Sequence, residues 1–296
     1  MLRNGPLLRL ARLRPVSRHG SATTIHAEDI VPWVAFRRYA TRSEETRHLI
    51  CPHRPIWFSS TRGIGRGIAL CLAEKGADIV VADMNLEGAG QVAGEVQALG
   101  RQALAVQVNV TEESSVENMV VAALKRFGKI DILVNNAGIT QPVKVLDTTE
   151  ADWDRVLNVS LKGTFLCSKA VLKAMIENKY GRIVSTSSVS GKRGGGVYGG
   201  AHYSAAKAGV LGFSKALARE VVEYGITVNC ICPGLVDTDI RSKLTAEQEK
   251  ASWESIPMKR PGTVSEMAET VAFLASEGAS YITGEDIDIN GGSHMD

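Results

Sequence analysis

From residue 60 onward, short apolar runs alternate with longer stretches in which apolar residues recur at helical spacing. The runs are "ADIVVAD" (77–83), "ALAVQVNV" (103–110), "IDILVNNAG" (130–138), "GRIVSTSS" (181–188), "GITVNCICPG" (225–234) and "EDIDINGG" (285–292). They are β-rich and apolar on both faces, as strands are when helices cover both sides of a parallel sheet. The stretches between them, near 64–76, 86–99, 112–127, 151–178, 203–224 and 265–276, read as helices. Strand alternating with helix predicts an α/β fold, a doubly wound parallel sheet with right-handed crossovers. No internal repeat or low-complexity linker interrupts it, so residues 56–296 are read as one domain.

Composition changes the picture only at the front of the chain. Residues 1–55 hold ten Arg, no Lys and four acids, a net charge of +6, whereas residues 56–296 carry a net of −4. The first segment also holds five of the nine prolines and four of the six histidines. Three readings compete for it. One is a targeting peptide, because Arg3, Arg9, Arg12, Arg14 and Arg18 lie among leucines with no acid before residue 28. Another is a disordered basic arm. The third is a segment that is not natural coding sequence for this domain. The overall net charge of +2 gives no case for nucleic acid or an anionic membrane. No run of eighteen apolar residues predicts a membrane span. The expected location is cytoplasmic, or the mitochondrial matrix if residues 1–40 are a presequence. The five cysteines match no metal-ligand spacing and suit a reducing compartment, so no metal site is read. Cys230 and Cys232, within "ITVNCICPG", are read as buried and structural.

Two constellations carry chemistry. "TRGIGRG" leads from the expected first strand into a helix, where Gly63 and Gly65 would let backbone N–H groups approach a pyrophosphate. Gly67 would allow a close helix–sheet contact. Asp83, eighteen residues after Gly65, ends the next strand. A carboxylate there can accept hydrogen bonds from an adenosine ribose and repels a 2′-phosphate, which favours NAD over NADP. Arg62 pulls weakly toward NADP. The second constellation is "GGAHYSAAKAGV", with Tyr203 and Lys207 four apart and so on one helical face. An ammonium near a phenol favours phenolate and would lower the tyrosine pKa, giving a general acid/base for a substrate hydroxyl. Ser188, fifteen residues before Tyr203, ends a strand in "STSSVSG". Taken singly, a glycine cluster is often a simple turn, and a Tyr/Lys pair is often only a surface helix pair.

In order, "RGIGRG", "NNAGIT", "LNVSLKGTF", "SSVSG", "YSAAK" and "CPGLVDT" resemble the classical short-chain dehydrogenase/reductase family over residues 60–296. The resemblance implies a Rossmann-type domain with a seven-stranded parallel sheet, a small-molecule substrate, a nicotinamide cofactor and a homodimer or homotetramer. It implies that Tyr203 is the acid/base, that Ser188 bonds the substrate oxygen, and that Lys207 holds the nicotinamide ribose. Asn158 would hold a water in a proton relay to Lys207. The cofactor loop would be Ser59, Arg62, Gly63, Ile64 and Gly65. Asn109 and Val110 would lie by the adenine, and Asn136, Ala137 and Gly138 on the adenosine side. Pro233, Gly234, Val236 and Thr238 would border the nicotinamide. Ser187 is a rival to Ser188, and alternation along a strand favours Ser188. His202 receives no catalytic role, and Trp153 and Trp253 are read as packing or lid residues.

The family pattern breaks at the front. Counting back from Gly63 places Ser59 at the first loop glycine and Phe58 at a threonine, after "CPHRPIWF" rather than a long apolar strand. Proline removes a ladder donor and is disfavoured in a central strand, and Arg54 would be costly to bury there. The expectation is a sound enzyme body with a compromised entry strand.

The leading function is NAD(P)-dependent interconversion of a secondary alcohol and a ketone, on a polyol, sugar or related small hydroxy compound. One alternative is a 3-oxoacyl-[acyl-carrier-protein] reductase. An alternative of another class is a non-catalytic nucleotide-binding protein, suggested by the damaged entry. The substrate would be chosen by "DIRSKLTAEQEKASWESIPMKR" after Thr238, read as a mobile helical lid.

Overall fold

The computed structural model describes the backbone of residues 55–59 and, in full, residues 62–195, 199–238 and 253–296. The chain divides into Met1–Arg42 and Ser43–Asp296, and every described residue lies in the second unit. The expectations for the basic front segment, and the lid reading of residues 239–252, fall outside the described residues.

Seven strands form one sheet in the order β3-β2-β1-β4-β5-β6-β7, every pair parallel. They are β1 (Pro55–Ser59), β2 (Asp78–Asp83), β3 (Ala103–Gln107), β4 (Ile132–Asn135), β5 (Gly181–Thr186), β6 (Ile226–Pro233) and β7 (Asp286–Ile289). The helices are α1 (Gly63–Glu74), α2 (Leu86–Ala98), α3 (Glu113–Phe127), α4 (Glu150–Leu157), α5 (Gly163–Asn178), α6 (Val189–Arg193), α7 (Ala201–Val221) and α8 (Val264–Leu274). Two apolar cores sandwich the sheet. One joins α1, α2 and α8 to it through Ile68, Leu72, Val92 and Val271; the other joins α3, α5 and α7 through Met119, Val171, Met175 and Leu217. Burying each such side chain contributes about 1.5–3 kcal/mol.

The helix starts follow local chemistry. Asn85 Oδ1 accepts from the Gly88 N–H at the head of α2, Thr149 caps α4, and Thr263 with Glu266 forms a capping box on α8. Between α4 and α5 the helix widens into a π turn, Asn158–Lys162. The sequence reads 151–178 as one helix, because its apolar spacing continues through the turn. π turns are rare and concentrate at functional sites.

The entry strand is a correction. β1 pairs with β2 from Pro55↔Asp78 to Ser59↔Ala82, and with β4 from Ile56↔Ile132 to Phe58↔Val134. It therefore occupies the centre of the sheet despite its proline. Pro55 is the strand's first residue, where a missing donor is tolerated, and pairing with β4 starts one residue later. Pro52, His53 and Arg54 lie outside the described residues. Strand order reverses between β1 and β4, so the carboxyl ends of these two strands flank the crevice where open α/β sheets bind ligands. Among the described residues, no helix is long and apolar enough to cross a membrane.

Candidate active site

The loops at the carboxyl edge of the sheet collect the residues singled out from the sequence. β1 ends at Ser59, and α1 begins at Gly63 with Arg62 as its N-cap. The Arg62 side chain makes no capping hydrogen bond to the helix. Gly63 has φ +52°, in the left-handed region that favours glycine. A Cβ on Gly63 would lie 3.4 Å from Cγ2 of Thr238, so the loop after β1 and the segment after β6 meet here. Gly65 is buried and Ile64 half-buried against the core. Gly67 does not make the helix–sheet contact expected of it. Its missing Cβ would fall 2.1 Å from Val264 Cγ1, so it lets α1 close on α8.

Asp83 closes β2, and its Oδ1 accepts from the Asn85 N–H at 2.9 Å. Next to it, Met84, Gln107, Val108, Asn109 and Ser115 line a shallow cavity of about 190 Å³. Asn109 is fixed by its own neighbours: Oδ1 accepts from the Thr111 hydroxyl at 2.8 Å, and Nδ2 donates to Glu112 at 2.7 Å. Val110 is buried. Beyond β4, Asn136 Oδ1 accepts from the Thr186 hydroxyl at 3.2 Å, and Ala137 packs on the α3–α5–α7 core. After β6, the Gly234 N–H donates to the Ile289 carbonyl, following Pro233. Val236 is buried and bridges to Gly262. A larger groove of about 400 Å³ between α3 and α5 contains no member of this constellation.

These residues fit a dinucleotide. A glycine-rich turn leads into a helix N-terminus without a side-chain cap, a carboxylate ends the next strand, and a small cavity adjoins that carboxylate.

The Ser–Tyr–Lys group assembles on β5 and α7. Ser188 follows β5 as the N-cap of α6, and its hydroxyl accepts from the Ser190 N–H at 3.1 Å. Ser188 also offers Tyr203 a side-chain hydrogen bond that favours the phenolate. Ser187 points the other way and donates to the Lys207 backbone carbonyl at 2.8 Å. The two serines thus separate: one is spent on holding α7, the other faces the phenol. Lys207 is 3% exposed and donates from Nζ to the Thr186 carbonyl at 2.6 Å. Its Nζ lies 5.8 Å from the Tyr203 ring centroid.

The electrostatics differ from the expectation that Lys207 lowers the tyrosine pKa. Burial pushes the Tyr203 phenol above its ordinary value, and Ser188 only partly opposes this. Burial also pulls Lys207 down from 10.5 to about 8, with Cys230 and Cys232 acting weakly against that shift. An ammonium that is itself destabilised by burial, and turned toward the Thr186 carbonyl, gives the phenol little help. The Cys230 and Cys232 thiols, both buried, are pushed up to about 11 and about 12, which keeps them protonated and unreactive.

Asn158 opens the π turn with an exposed side chain, and its carbonyl accepts from the Gly163 N–H. Ser160 of the same turn is fully buried, and its Oγ and the Lys207 Nζ both lie within 4 Å of where a Cβ on Gly138 would stand; the sequence gives no signal for it. His202 is fully buried beside Gly200, away from solvent.

Comparison with known proteins agrees with this geometry. A family model described as enoyl-(acyl carrier protein) reductase matches residues 58–294. An uncharacterized short-chain type dehydrogenase/reductase of Sinorhizobium fredii is 44% identical over 236 residues, covering 79% of this chain and 93% of that protein. The 3-oxoacyl-[acyl-carrier-protein] reductase of Escherichia coli is 42% identical over 236 residues, covering 80% and 95%. The crystal structure of a short-chain type dehydrogenase/reductase from Mycobacterium marinum superposes with a TM-score of 0.80 at 32% identity, covering 84% of this chain and 98% of that one. With the Ser188–Tyr203–Lys207 group on a seven-stranded parallel sheet, these matches make the chain a member of the short-chain dehydrogenase/reductase family of nicotinamide-dependent oxidoreductases.

Proposed function

We propose that this oxidoreductase interconverts a ketone and a secondary alcohol, with Tyr203 as the general acid/base. The observation that carries the proposal is the Tyr203 phenol, hydrogen-bonded by the Ser188 side chain and with its ring 5.8 Å from the Lys207 Nζ. The nicotinamide, when bound, supplies or accepts the hydride at the carbinol carbon. In reduction, Tyr203 gives its proton to the oxygen that becomes the alcohol; in oxidation it takes that proton back. Ser188 orients the substrate oxygen through its hydroxyl. Lys207 would hold the cofactor ribose. The raised Tyr203 pKa keeps the phenol protonated near neutral pH, which suits the reductive direction. Gly63, Gly65 and the head of α1 hold the pyrophosphate, with Ser59, Arg62 and Ile64 beside it. Asn109, Val110, Asn136, Ala137 and Gly138 flank the adenosine. Pro233, Gly234, Val236 and Thr238 border the nicotinamide, and Asp83 selects NAD by its carboxylate. The working form is a homodimer or homotetramer.

For the substrate we favour a 3-oxoacyl thioester over a polyol. The support is 42% identity to a 3-oxoacyl-[acyl-carrier-protein] reductase along almost its whole length. The polyol reading keeps one observation of its own: Asp83 at the end of β2, since NAD preference goes with alcohol oxidation. The non-catalytic reading loses one of its two supports, because β1 is in place and in register; the other, Ser59 at the position of the first loop glycine, stands. Initial rates with acetoacetyl thioester, against a panel of polyols and sugars, with NADH/NADPH or NAD/NADP respectively, separate the substrates. Reduction of the thioester with no oxidation of the panel is the expected result. Polyol oxidation without thioester reduction would reverse the choice.

A further inference from the structure

The stretch "GGAHY" (199–203) sets two rings under one piece of backbone. A Cβ on Gly199 would lie 2.8 Å from Cδ1 of Tyr203, and a Cβ on Gly200 would lie 2.7 Å from Cε1 and 2.8 Å from Nδ1 of His202. A side chain at either position would collide with a ring. His202 is 0% exposed, and neither of its ring nitrogens has a hydrogen-bond partner among the described residues. Leaving a polar ring buried and unbonded is costly, and native structures rarely do so. Acid/base transfer by Tyr203 makes no use of this imidazole.

The same notch reaches an acceptor. The point where a Gly200 Cβ would stand is 2.7 Å from the Val143 carbonyl oxygen. Val143 belongs to a different segment, the loop between β4 and α4 (residues 136–149). Its own N–H donates to the Gln141 carbonyl, and among the described residues no group donates to its oxygen. The loop leaves β4 at the crevice where strand order reverses, so it forms one wall of the site. An unbonded donor and an unbonded acceptor thus flank one glycine, at the head of the helix that carries Tyr203.

We propose that His202 is a positioning residue for this loop: in the working enzyme its Nδ1–H donates to the Val143 carbonyl and latches the loop after β4 onto the head of α7. An imidazole can carry its proton on Nδ1 and so act as this donor. The latch ties one wall of the crevice to the residue next to Tyr203. Its effect on turnover rests on the acid/base role proposed above for Tyr203, but its existence does not.

The test therefore reads the loop itself. Asn places an amide nitrogen near the site of Nδ1, whereas Gln places it near that of Nε2. His202→Phe keeps a ring and removes both nitrogens. Gly200→Ala wedges a methyl group between ring and carbonyl, at a backbone φ of −79° that alanine adopts freely. Hydrogen–deuterium exchange of residues 139–149 is followed on the full chain, with and without NADH and NADPH. Exchange is expected to be about fivefold or more faster in His202→Phe, His202→Gln and Gly200→Ala than in wild type, with His202→Asn close to wild type. Equal exchange in wild type and folded His202→Phe, or a loss in His202→Asn as large as in His202→Gln, would overturn the proposal. So would a higher melting temperature in His202→Phe, the result expected of an imidazole that never finds a partner. If His202→Phe does not fold, Gly200→Ala and the two amides carry the same comparison. These readings stand even if no ketone is turned over. Where turnover is seen, kcat should fall about tenfold in His202→Phe and recover in His202→Asn, with cofactor affinity unchanged in both.

Discussion

Gly191 of α6 lies directly against the backbone of Lys207 on α7: a Cβ there would stand 2.7 Å from the lysine carbonyl carbon and 2.9 Å from the Ala208 nitrogen. Neither contact is with a flexible side-chain end, so neither can yield cheaply. The helix that begins at Ser188 is seated on the helix that carries Tyr203 and Lys207. Gly191→Ala should push these helices apart, costing about 2–3 kcal/mol of stability. It should also lower kcat more than substitution at an exposed glycine such as Gly212, whose Cβ would meet nothing within 4 Å. Chemical denaturation together with steady-state kinetics checks both.

Lys207 gives a prediction in which stability and activity move in opposite directions. Its folded pKa is about 8, below the ordinary 10.5. Between these values the unfolded chain binds more protons, so stability contributed by this site rises as pH climbs from about 8 to 10.5. Below pH 8 the folded protein carries the full cost of the buried charge. Lys207→Met should therefore stabilise the fold by about 1–2 kcal/mol at pH 7, after allowing for the lost bond to Thr186. The gain should shrink toward pH 10, and turnover should fall sharply. Urea melts at pH 7 and pH 10 test the sign.

Lys192 clamps α6 from the other side. Its ammonium is 3.2 Å from Asp286 and 3.0 Å from Asp288, and it also bonds Asp296. The side chain is 6% exposed. Asp288, His294 and Asp296 bring ligand atoms within 4.8 Å of one another, but the lysine ammonium already pairs with an oxygen of each of the two aspartates. Hydrogen bonds that the Lys192 ammonium donates to the three aspartates outweigh burial and raise its pKa. Its stabilising contribution is thus fully present below pH 10.5 and lost as pH rises through the higher folded value. Lys192→Met should cost about 2–4 kcal/mol at pH 7, because it strands partly buried carboxylates. Asp296→Asn, at an exposed position, should change the melting temperature little.

Asp83 should set the ratio of cofactor affinities. Asp83→Ser removes the charge that repels a 2′-phosphate and should raise NADPH affinity relative to NADH by about tenfold or more. Its Oδ1 also holds the Asn85 N–H at the head of α2, so a small loss of stability should accompany the change. Calorimetric titration of both cofactors into both proteins measures the ratio.

Most of this architecture is legible in the sequence. The runs at 77–83, 103–110, 130–138, 181–188, 225–234 and 285–292 each contain an observed strand, because strands covered on both faces leave an unbroken apolar signal. The Tyr203–Lys207 spacing gives a shared helical face directly. Three features are not legible. The π turn at Asn158–Lys162 is a backbone choice that leaves the apolar spacing of its helix intact, so Ser160 gave no signal. β1 is obscured because the prolines before it read as part of a longer strand than the five residues that pair. The direction of the Tyr203 shift depends on burial and on where the Lys207 ammonium points, and neither can be read from an i, i+4 spacing.

The central claim is that the phenol of Tyr203 moves the proton. Its most direct measurement is the initial rate of NADH or NADPH oxidation with acetoacetyl thioester, in wild type and in Tyr203→Phe, with cofactor affinity and melting temperature measured on both. Expected are turnover in wild type and a loss of about 10²–10⁴-fold in the variant, with cofactor binding and folding retained. Undiminished turnover in a folded, cofactor-binding Tyr203→Phe protein would contradict it.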